Sequence, residues 1–366
     1  MTDSADNAFM TQALRLAERG LYTAMPNPVV GCVIVKNGAV VGEGWHAVAG
    51  EDHAEIVALK AAGSKAQGAT VYVTLEPCSH HGRTPPCADA LVHAGVAEVV
   101  IGLSDPNPEV DGRGIRKLED AGIRVRSGVQ ADAVQRQLEG FLSRVTLGRP
   151  FVRLKMASSI DGCIAMASGE SQWITGPEAR ADVQRLRARS GAILTGIGTV
   201  LADDPSFTVR DPDIDTRGRQ PLRVVLDQKL RMPLSAEMLA LPGATIVYCV
   251  SDKARQPLID AGAEVVKVGG REGHVDAVAV LENLGSRGVN EVLVEAGPAL
   301  AGALITDDLV DELVIYQAPH IMGSETKGMF STPSWTSLSD RRALDIVDTC
   351  QVGPDTRITA RFKNQD

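Results

Sequence analysis

A chain of 366 residues is longer than one ordinary core sustains, so two domains are expected, and a hydrophobic share of 44% is ample to fill them. A formal net charge of −9 argues against a nucleic-acid partner, because a phosphate backbone is met by a basic face. The opening M-T-D-S-A-D-N is polar and no apolar run reaches membrane-spanning length, so neither a secretory leader nor a membrane partner is expected.

Along the first half, strand and helix signals alternate. Phe9, Ala13, Leu14 and Ala17 form a helical stripe over Ala8 to Arg19. Val29 to Val35 and Ala39 to Gly44 read as strands joined at Asn37-Gly38, a strong two-residue hairpin signal. Ala54 to Ala62 is helical and stops at Gly63, Val71 to Leu75 is a β-branched strand, Ala88 to Ala94 is helical, and Glu98 to Leu103 is a further strand. Such alternation predicts a sheet flanked by helices, with ligands gathered at strand ends and helix starts. Gly140 to Pro150 reads as the joint between domains, here divided as 1–146 and 147–366. Strands are then expected at Phe151 to Met156, Ala192 to Thr195, Arg223 to Asp227, Thr245 to Val250, Glu264 to Val268, Glu291 to Glu295 and Leu313 to Gln317. A helix is expected from Pro177 to Ser190, with proline at its favoured first position, and another from Ala299 to Ile305. The second domain is therefore a second α/β sheet.

The sharpest chemical signal lies in two short segments, H-A-E at His53 to Glu55 and P-C-S-H-H-G-R-T-P-P-C from Pro77. His53, Cys78 and Cys87 supply one imidazole and two thiolates, three of the four positions of a tetrahedral zinc, which leaves one for water. Glu55 then provides the proton shuttle that attack on an amino-substituted ring carbon requires. A closed structural zinc stays open as an alternative, with His80 or His81 as fourth ligand. Eight residues separate the two cysteines, where the usual deaminase spacing is C-x-x-C, so a loop is inserted between the ligands. Residues two apart on a regular helix diverge, so His53 and Glu55 converge only if His53 occupies the non-helical first position. Cys32, Cys163, Cys249 and Cys350 lack paired spacing, which fits a reduced, cytoplasmic protein.

In the second half spacing says less. G-I-G-T from Gly196 and E-A-G-P from Glu295 each follow a strand and open a helix, where backbone amides could hold a dinucleotide phosphate. Glycines after strands also serve simply as turns, and no full G-x-G-x-x-G is present. Arg185, Arg187 and Arg189 read locally as a solvated basic helix face.

Taken in series, M-P-N-P-V-V-G from Met25, the two zinc segments, K-M-A-S-S-I-D-G from Lys155, S-Q-W-I-T-G from Ser171, G-I-G-T-V-L-A-D-D-P from Gly196 and E-A-G-P-A-L from Glu295 resemble the bifunctional deaminase–reductases of riboflavin biosynthesis. The likeness spans essentially the whole chain in that family's domain order. It implies an α/β fold of two domains, the first cytidine-deaminase-like and the second dihydrofolate-reductase-like. It further implies one zinc per chain, NADPH as reductant, and a pyrimidine ribotide as substrate, with a homo-oligomer, dimer or tetramer, as the assembly. The first domain would deaminate 2,5-diamino-6-(5-phosphoribosylamino)pyrimidin-4(3H)-one and the second would reduce the ribosyl side chain to ribityl.

By the same resemblance, His53, Cys78 and Cys87 match the zinc ligands and Glu55 the catalytic proton donor. Asn27, His46 and Arg83 match substrate contacts of the deaminase. Ala157, Trp173, Thr199, Asp203 and the segment Gly297, Pro298, Ala299, Leu300, Ala301, Gly302 and Ala303 fall on NADP contacts. Lys155, Ser171, Thr175, Arg187, Phe207, Arg210 and Glu295 fall on substrate contacts of the reductase, with the two arginines suited to phosphate by their bidentate fork. Phe207 stands where a smaller aliphatic residue is usual, and Gln228 follows Asp227 where serine is typical. Two rival readings remain: a transfer-RNA adenosine deaminase, which shares H-A-E and P-C, and a zinc-stabilised scaffold without activity.

Overall fold

The computed structural model describes residues 2–79, 86–106, 112–271 and 273–363. The chain divides into two compact units, residues 1–148 and 149–366.

The first unit is a five-stranded sheet between two layers of helix. Its elements are α1 (Thr2–Glu18), β1 (Gly31–Lys36), β2 (Ala39–Trp45), α2 (Ala54–Ala62), β3 (Thr70–Leu75), α3 (Cys87–His93), β4 (Glu98–Leu103), α4 (Arg113–Asp120), β5 (Arg124–Ser127) and α5 (Ala131–Leu147). The strand order is β2-β1-β3-β4-β5, antiparallel across β2, β1 and β3 and parallel from β3 to β5. At the hairpin Asn37 and Gly38 have φ of 52° and 78°, the pair of positive values that an Asn-Gly turn supplies. Ala54, Ala58 and Ala62 of α2, with Leu91 of α3 and Leu118 of α4, cover one face through Ile34, Val71, Val73 and Ile101. Met10 and Ala13 of α1 and Val134, Leu138 and Phe141 of α5 cover the other.

Helix α2 lies very close to β2. A Cβ at Gly44 would stand 2.3 Å from the Ala54 carbonyl oxygen, and one at Gly42 would stand 2.3 Å from that of Ala58. Only glycine fits there, and the close approach fixes the start of α2, where His53 sits.

The division after Gly148 falls inside the stretch expected as the joint, but most of that stretch is helical. Residues 140–147 are the last turns of α5, because Val134, Leu138 and Phe141 form a stripe that packs on the sheet. The helix ends at Gly148 in the left-handed conformation, φ 70°.

The second unit carries β6 (Phe151–Ser159), β7 (Cys163–Ala165), α6 (Pro177–Arg189), β8 (Ala192–Gly196), α7 (Ile197–Asp203), β9 (Leu222–Leu226), α8 (Glu237–Ala240), β10 (Thr245–Cys249), α9 (Gln256–Asp260), β11 (Glu264–Lys267), β12 (Gly270–Arg271), β13 (His274–Val275), α10 (Ala277–Ser286), β14 (Glu291–Glu295), α11 (Pro298–Thr306), β15 (Glu312–Ala318), β16 (Lys327–Gly328), β17 (Leu344–Val352) and β18 (Asp355–Phe362). Nine strands form one sheet in the order β11-β10-β9-β8-β14-β6-β15-β18-β17. The first seven are parallel, and β18 and β17 add an antiparallel edge. Helices α10 and α11 cover one face; α7, α8 and α9 cover the other, joined there by α6. Burial on both faces explains why these strands read as apolar runs without alternation. From β8 the chain moves outward to β9, whereas from β14 it passes beyond β6 to β15. The winding therefore reverses between β8 and β14, and the crevice at their C-terminal ends is where open α/β sheets bind ligands.

Candidate active sites

His53 stands at the N-cap of α2 in extended conformation, φ −72° and ψ 162°, and Glu55 lies in the first turn behind it. The non-helical first position demanded by the two-residue spacing is thus occupied. Cys78 follows β3, and Cys87 opens α3. His53 Nδ1 lies 3.6 Å from Cys78 Sγ and 3.3 Å from Cys87 Sγ, and the three ligand atoms all fall within 4.8 Å of one another. Ligands at zinc bond lengths around a tetrahedron lie roughly 3.5–3.8 Å apart, so the donor set fits the metal. The Cys87 amide donates to Cys78 Sγ at 3.3 Å, which favours a thiolate there. Hydrogen bonds from the Cys87 thiol and then the His53 ring, working against burial, hold the Cys78 thiol well below its ordinary range. Zinc ligation would hold both sulfurs as thiolates.

Glu55 is 3% exposed, and burial, reinforced by the neighbouring Cys78, raises its carboxyl to about 7. A carboxyl that titrates near neutrality can both accept and return a proton. His46, also buried, has Nδ1 3.1 Å from the Asp52 carbonyl oxygen and Nε2 3.0 Å from Asn27 Nδ2. A carbonyl only accepts, so Nδ1 carries the proton and Nε2 accepts from the Asn27 amide. Burial lowers the His46 pKa and keeps that ring neutral. Arg83, His80 and His81 lie outside the described residues.

Sequence reasoning missed Glu76. Its carboxylate accepts backbone N–H groups of Asp105, Gly112, Gly114 and Ile115. A glutamate directly before Pro77-Cys78 was visible, but not the amides 29 to 39 positions away that meet it.

In the second unit, Lys155, midway along β6, is the register partner of Glu295, the last residue of the adjacent parallel strand β14. Arg187, from α6, grips Glu295 with both arms, Nε to Oε1 at 2.7 Å and Nη2 to Oε2 at 3.1 Å. Its Nη1 donates to the Thr208 carbonyl at 3.3 Å, and the guanidinium lies 5.5 Å from the Phe207 ring centroid. Burial works against the Glu295 carboxylate, but the charge and hydrogen bonds of Arg187, with the charges of Lys155 and Arg210, together outweigh it and lower the pKa. Burial pulls the Lys155 ammonium down.

Several expectations for this half meet a different arrangement. The arginine run is not a solvated face: Arg187 turns inward to Glu295 and Arg189 to Glu291, both Nε and Nη2 of Arg189 lying 2.8 Å from its oxygens, while Arg185 alone is largely exposed. Phe207 is 4% exposed and packs with Ile193, Val200 and Leu293, so its ring is core. Arg210 is exposed, with Nη1 on the Ser206 hydroxyl. Ser171, Trp173 and Thr175 stand on the stretch leading into α6. There Trp173 is 69% exposed and carries the Arg180 guanidinium 4.5 Å from its centroid. Ala157 sits half-buried two residues beyond Lys155 on β6.

Gly196 caps α7 and Gly297 caps α11, on the two sides of the crevice. A Cβ built at Gly198 or Gly297 meets nothing within 4 Å, so there is open space beside both helix starts. Thr199 lies in the first turn of α7 and Asp203 is exposed at its end. Within Gly297–Ala303, Ala301 and Gly302 point away from the crevice. Ala301 is core, and a Cβ at Gly302 would meet the Ser331 carbonyl at 2.0 Å. Pro298, Ala299, Leu300 and Ala303 remain partly or fully accessible.

Residues 3–103 match the family model for the cytidine and deoxycytidylate deaminase zinc-binding region, and residues 150–358 match the RibD C-terminal domain. The riboflavin biosynthesis protein RibD of Escherichia coli (strain K12) is 48% identical over 359 residues, covering 96% of this chain and 97% of the relative. The chain belongs to the RibD family. Its members are bifunctional deaminase–reductases of riboflavin biosynthesis, and the two units are correspondingly deaminase-like and dihydrofolate-reductase-like. Acinetobacter baumannii RibD is a close structural relative, with a TM-score of 0.93 at 44% identity, covering 99% of this chain and 100% of that one. A Thermotoga maritima protein described as a diaminohydroxyphosphoribosylaminopyrimidine deaminase and 5-amino-6-(5-phosphoribosylamino)uracil reductase gives 0.89 at 35% identity, with 99% and 100% covered. RibD membership favours the two-step enzyme over the transfer-RNA deaminase and the inactive scaffold.

Proposed function

We propose that the first unit of this chain hydrolytically deaminates a 2,5-diaminopyrimidinone ribotide and that the second reduces the ribosyl side chain of the product to ribityl with NADPH. The observation that carries the reading is the convergence of His53, Cys78 and Cys87 beside the buried Glu55.

His53, Cys78 and Cys87 hold the zinc. When bound, zinc supplies Lewis acidity that makes a water nucleophilic at neutral pH. Glu55 takes the proton of the attacking water and passes it to the departing amino group, a task matched to a carboxyl titrating near 7. His46 fixes the Asn27 amide through Nε2, which leaves Asn27 Oδ1 to accept from a pyrimidine N–H. Arg83 is assigned to the substrate's phosphate side on family likeness alone.

In the second unit the crevice between β8 and β14 would hold NADPH, for which the starts of α7 and α11 offer backbone amides suited to phosphate. Family likeness adds Ala157, Trp173, Thr199 and Asp203 to the cofactor's contacts. NADPH, when bound, supplies the hydride. Lys155 and Glu295 set an ammonium and a carboxylate beside the sugar, steadying charge as its ring opens and C1 is reduced. Arg210 reaches the substrate phosphate, aided by Ser171 and Thr175, while Arg187 reaches the substrate through Glu295.

The six cysteines are free, which supports a reducing, cytoplasmic setting, and no helix among the described residues is long and apolar enough to cross a membrane. We also infer a homo-oligomer built across β17, an edge strand whose Leu344, Ile346 and Val347 are exposed. Light scattering of wild type against Ile346→Lys tests it, and an unchanged mass would refute it.

The central test supplies the aminopyrimidine ribotide with NADPH and follows ammonia release and NADPH absorbance together. Both should change, and NADPH loss should stop when zinc is chelated unless deaminated substrate is supplied. NADPH loss without ammonia release from the diamino substrate would overturn the order.

A further inference from the structure

Glu76 follows β3 and directly precedes Pro77-Cys78, and its side chain is 4% exposed. Four backbone amides converge on this one carboxylate. Oε2 accepts from Asp105 and Gly112 at 3.3 Å each, and Oε1 accepts from Gly114 at 3.0 Å and Ile115 at 3.3 Å. Two of those donors open α4, so the carboxylate sits at a helix start with its lone pairs filled by N–H groups. The Glu76 amide itself donates to the Leu103 carbonyl at 3.0 Å, tying the backbone to the end of β4.

The turn behind Glu76 is pressed from the same side. A Cβ at Gly114 would stand 2.1 Å from the Pro77 carbonyl oxygen and 3.2 Å from Glu76 Oε1. Helix α4 therefore lies directly against the peptide that carries Cys78. On the opposite side, the Ala88 amide donates to the Cys78 carbonyl at 3.1 Å and the Cys87 amide to Cys78 Sγ at 3.3 Å. Cys78 is held between the starts of two helices, and Glu76 makes one of the two attachments.

We propose that Glu76 is a positioning residue for the metal site: its carboxylate locks the Pro77–Cys78 turn so that Cys78 Sγ meets His53 and Cys87 at ligating distance. Glu76 touches neither metal nor substrate. The inference rests on the reading of His53, Cys78 and Cys87 as a zinc site. Its physical basis is that four convergent N–H donors need an acceptor. Glutamine has the same shape but turns an NH2 group towards two of them, leaving donors face to face and freeing the turn.

The test is zinc release from the full-length holoenzyme into a chromogenic chelator. For Glu76→Gln the dissociation constant for zinc should rise about ten- to hundredfold, the usual cost of disturbing the supports of a metal ligand. Ammonia release should fall at limiting zinc and recover when zinc is saturating. NADPH oxidation with already deaminated substrate should be unchanged. Gly114→Ala, which drives a methyl into the Pro77 carbonyl with Glu76 intact, should weaken zinc in the same direction. If Glu76→Gln fails to fold, Glu76→Asp, which keeps the acceptors but shortens their reach, carries the comparison with an intermediate zinc affinity expected. Wild-type zinc affinity in a folded Glu76 variant would overturn the proposal. So would an equal loss of melting temperature with and without zinc that saturating metal does not rescue, since Glu76 would then support only the fold. Wild-type protein that carries no zinc at all would instead refute the metal site itself.

Discussion

Arg187 closes both arms of its guanidinium on Glu295, at 2.7 and 3.1 Å, although the two residues are 108 positions apart. The fork expected on a substrate phosphate is engaged by a carboxylate beside Lys155. Removing one partner of a buried pair costs on the order of 3 kcal/mol, about a hundredfold in rate if Glu295 is needed in the transition state. Arg187→Ala should therefore depress reduction of the phosphorylated substrate and of its dephosphorylated analogue alike. Arg210→Ala should depress only the former, and Arg210→Lys should restore part of it. Steady-state kinetics on both substrates decides, and an Arg187→Ala penalty that vanishes without the phosphate would return Arg187 to phosphate binding.

Glu55→Gln should retain zinc and lose ammonia release by on the order of a hundredfold or more, because an amide cannot carry the proton between water and leaving group. NADPH consumption with deaminated substrate should persist. Metal analysis beside the two separate assays measures this; loss of both activities would make Glu55 a structural residue.

A fragment beginning at Arg149 should fold and bind NADPH alone, since residues 149–366 enclose their own cores on both sheet faces. Circular dichroism and cofactor titration of the fragment check it. An insoluble or cofactor-blind product would show that the second unit depends on the first.

Acid should destabilise the second unit through Glu291. Burial pushes its carboxyl up from 4.5, but Arg189 and Arg153 outweigh burial and hold it at about 2. Between those values the unfolded chain binds the proton and the folded chain does not, so the stabilisation is complete above pH about 4.5 and lost as pH falls towards 2. The full effect is on the order of 3 kcal/mol. Melting temperatures of wild type and Glu291→Gln across this window should converge as pH falls, and parallel curves would refute the assignment.

Much of the site was legible in the sequence because its signals are local. The Asn37-Gly38 turn, the Pro177 helix start and the position of His53 ahead of α2 each follow from preferences acting within a few residues. The candidate ligands His53, Cys78 and Cys87 were legible because few residue types bind zinc. Elements with weaker local signals were passed over: α4, β5 and the β17–β18 pair, whose β17 is largely exposed and shows no buried alternation. Residues 140–147 read as a joint because Gly140 and Gly148 frame them, while the stripe that makes them helical needs a sheet to pack against.

The sequence by itself determined the two α/β domains, the candidate zinc ligands and the strand-end motifs, since periodicity, turn chemistry and ligand type are properties of short windows. The tertiary structure alone decided which charge meets which. It put Arg187 on Glu295, made Phe207 core, turned Ala301 and Gly302 away from the crevice, and gathered four amides on Glu76. Such pairings depend on which strand ends and helix starts the winding brings together, and buried charges accept whichever partner that geometry supplies.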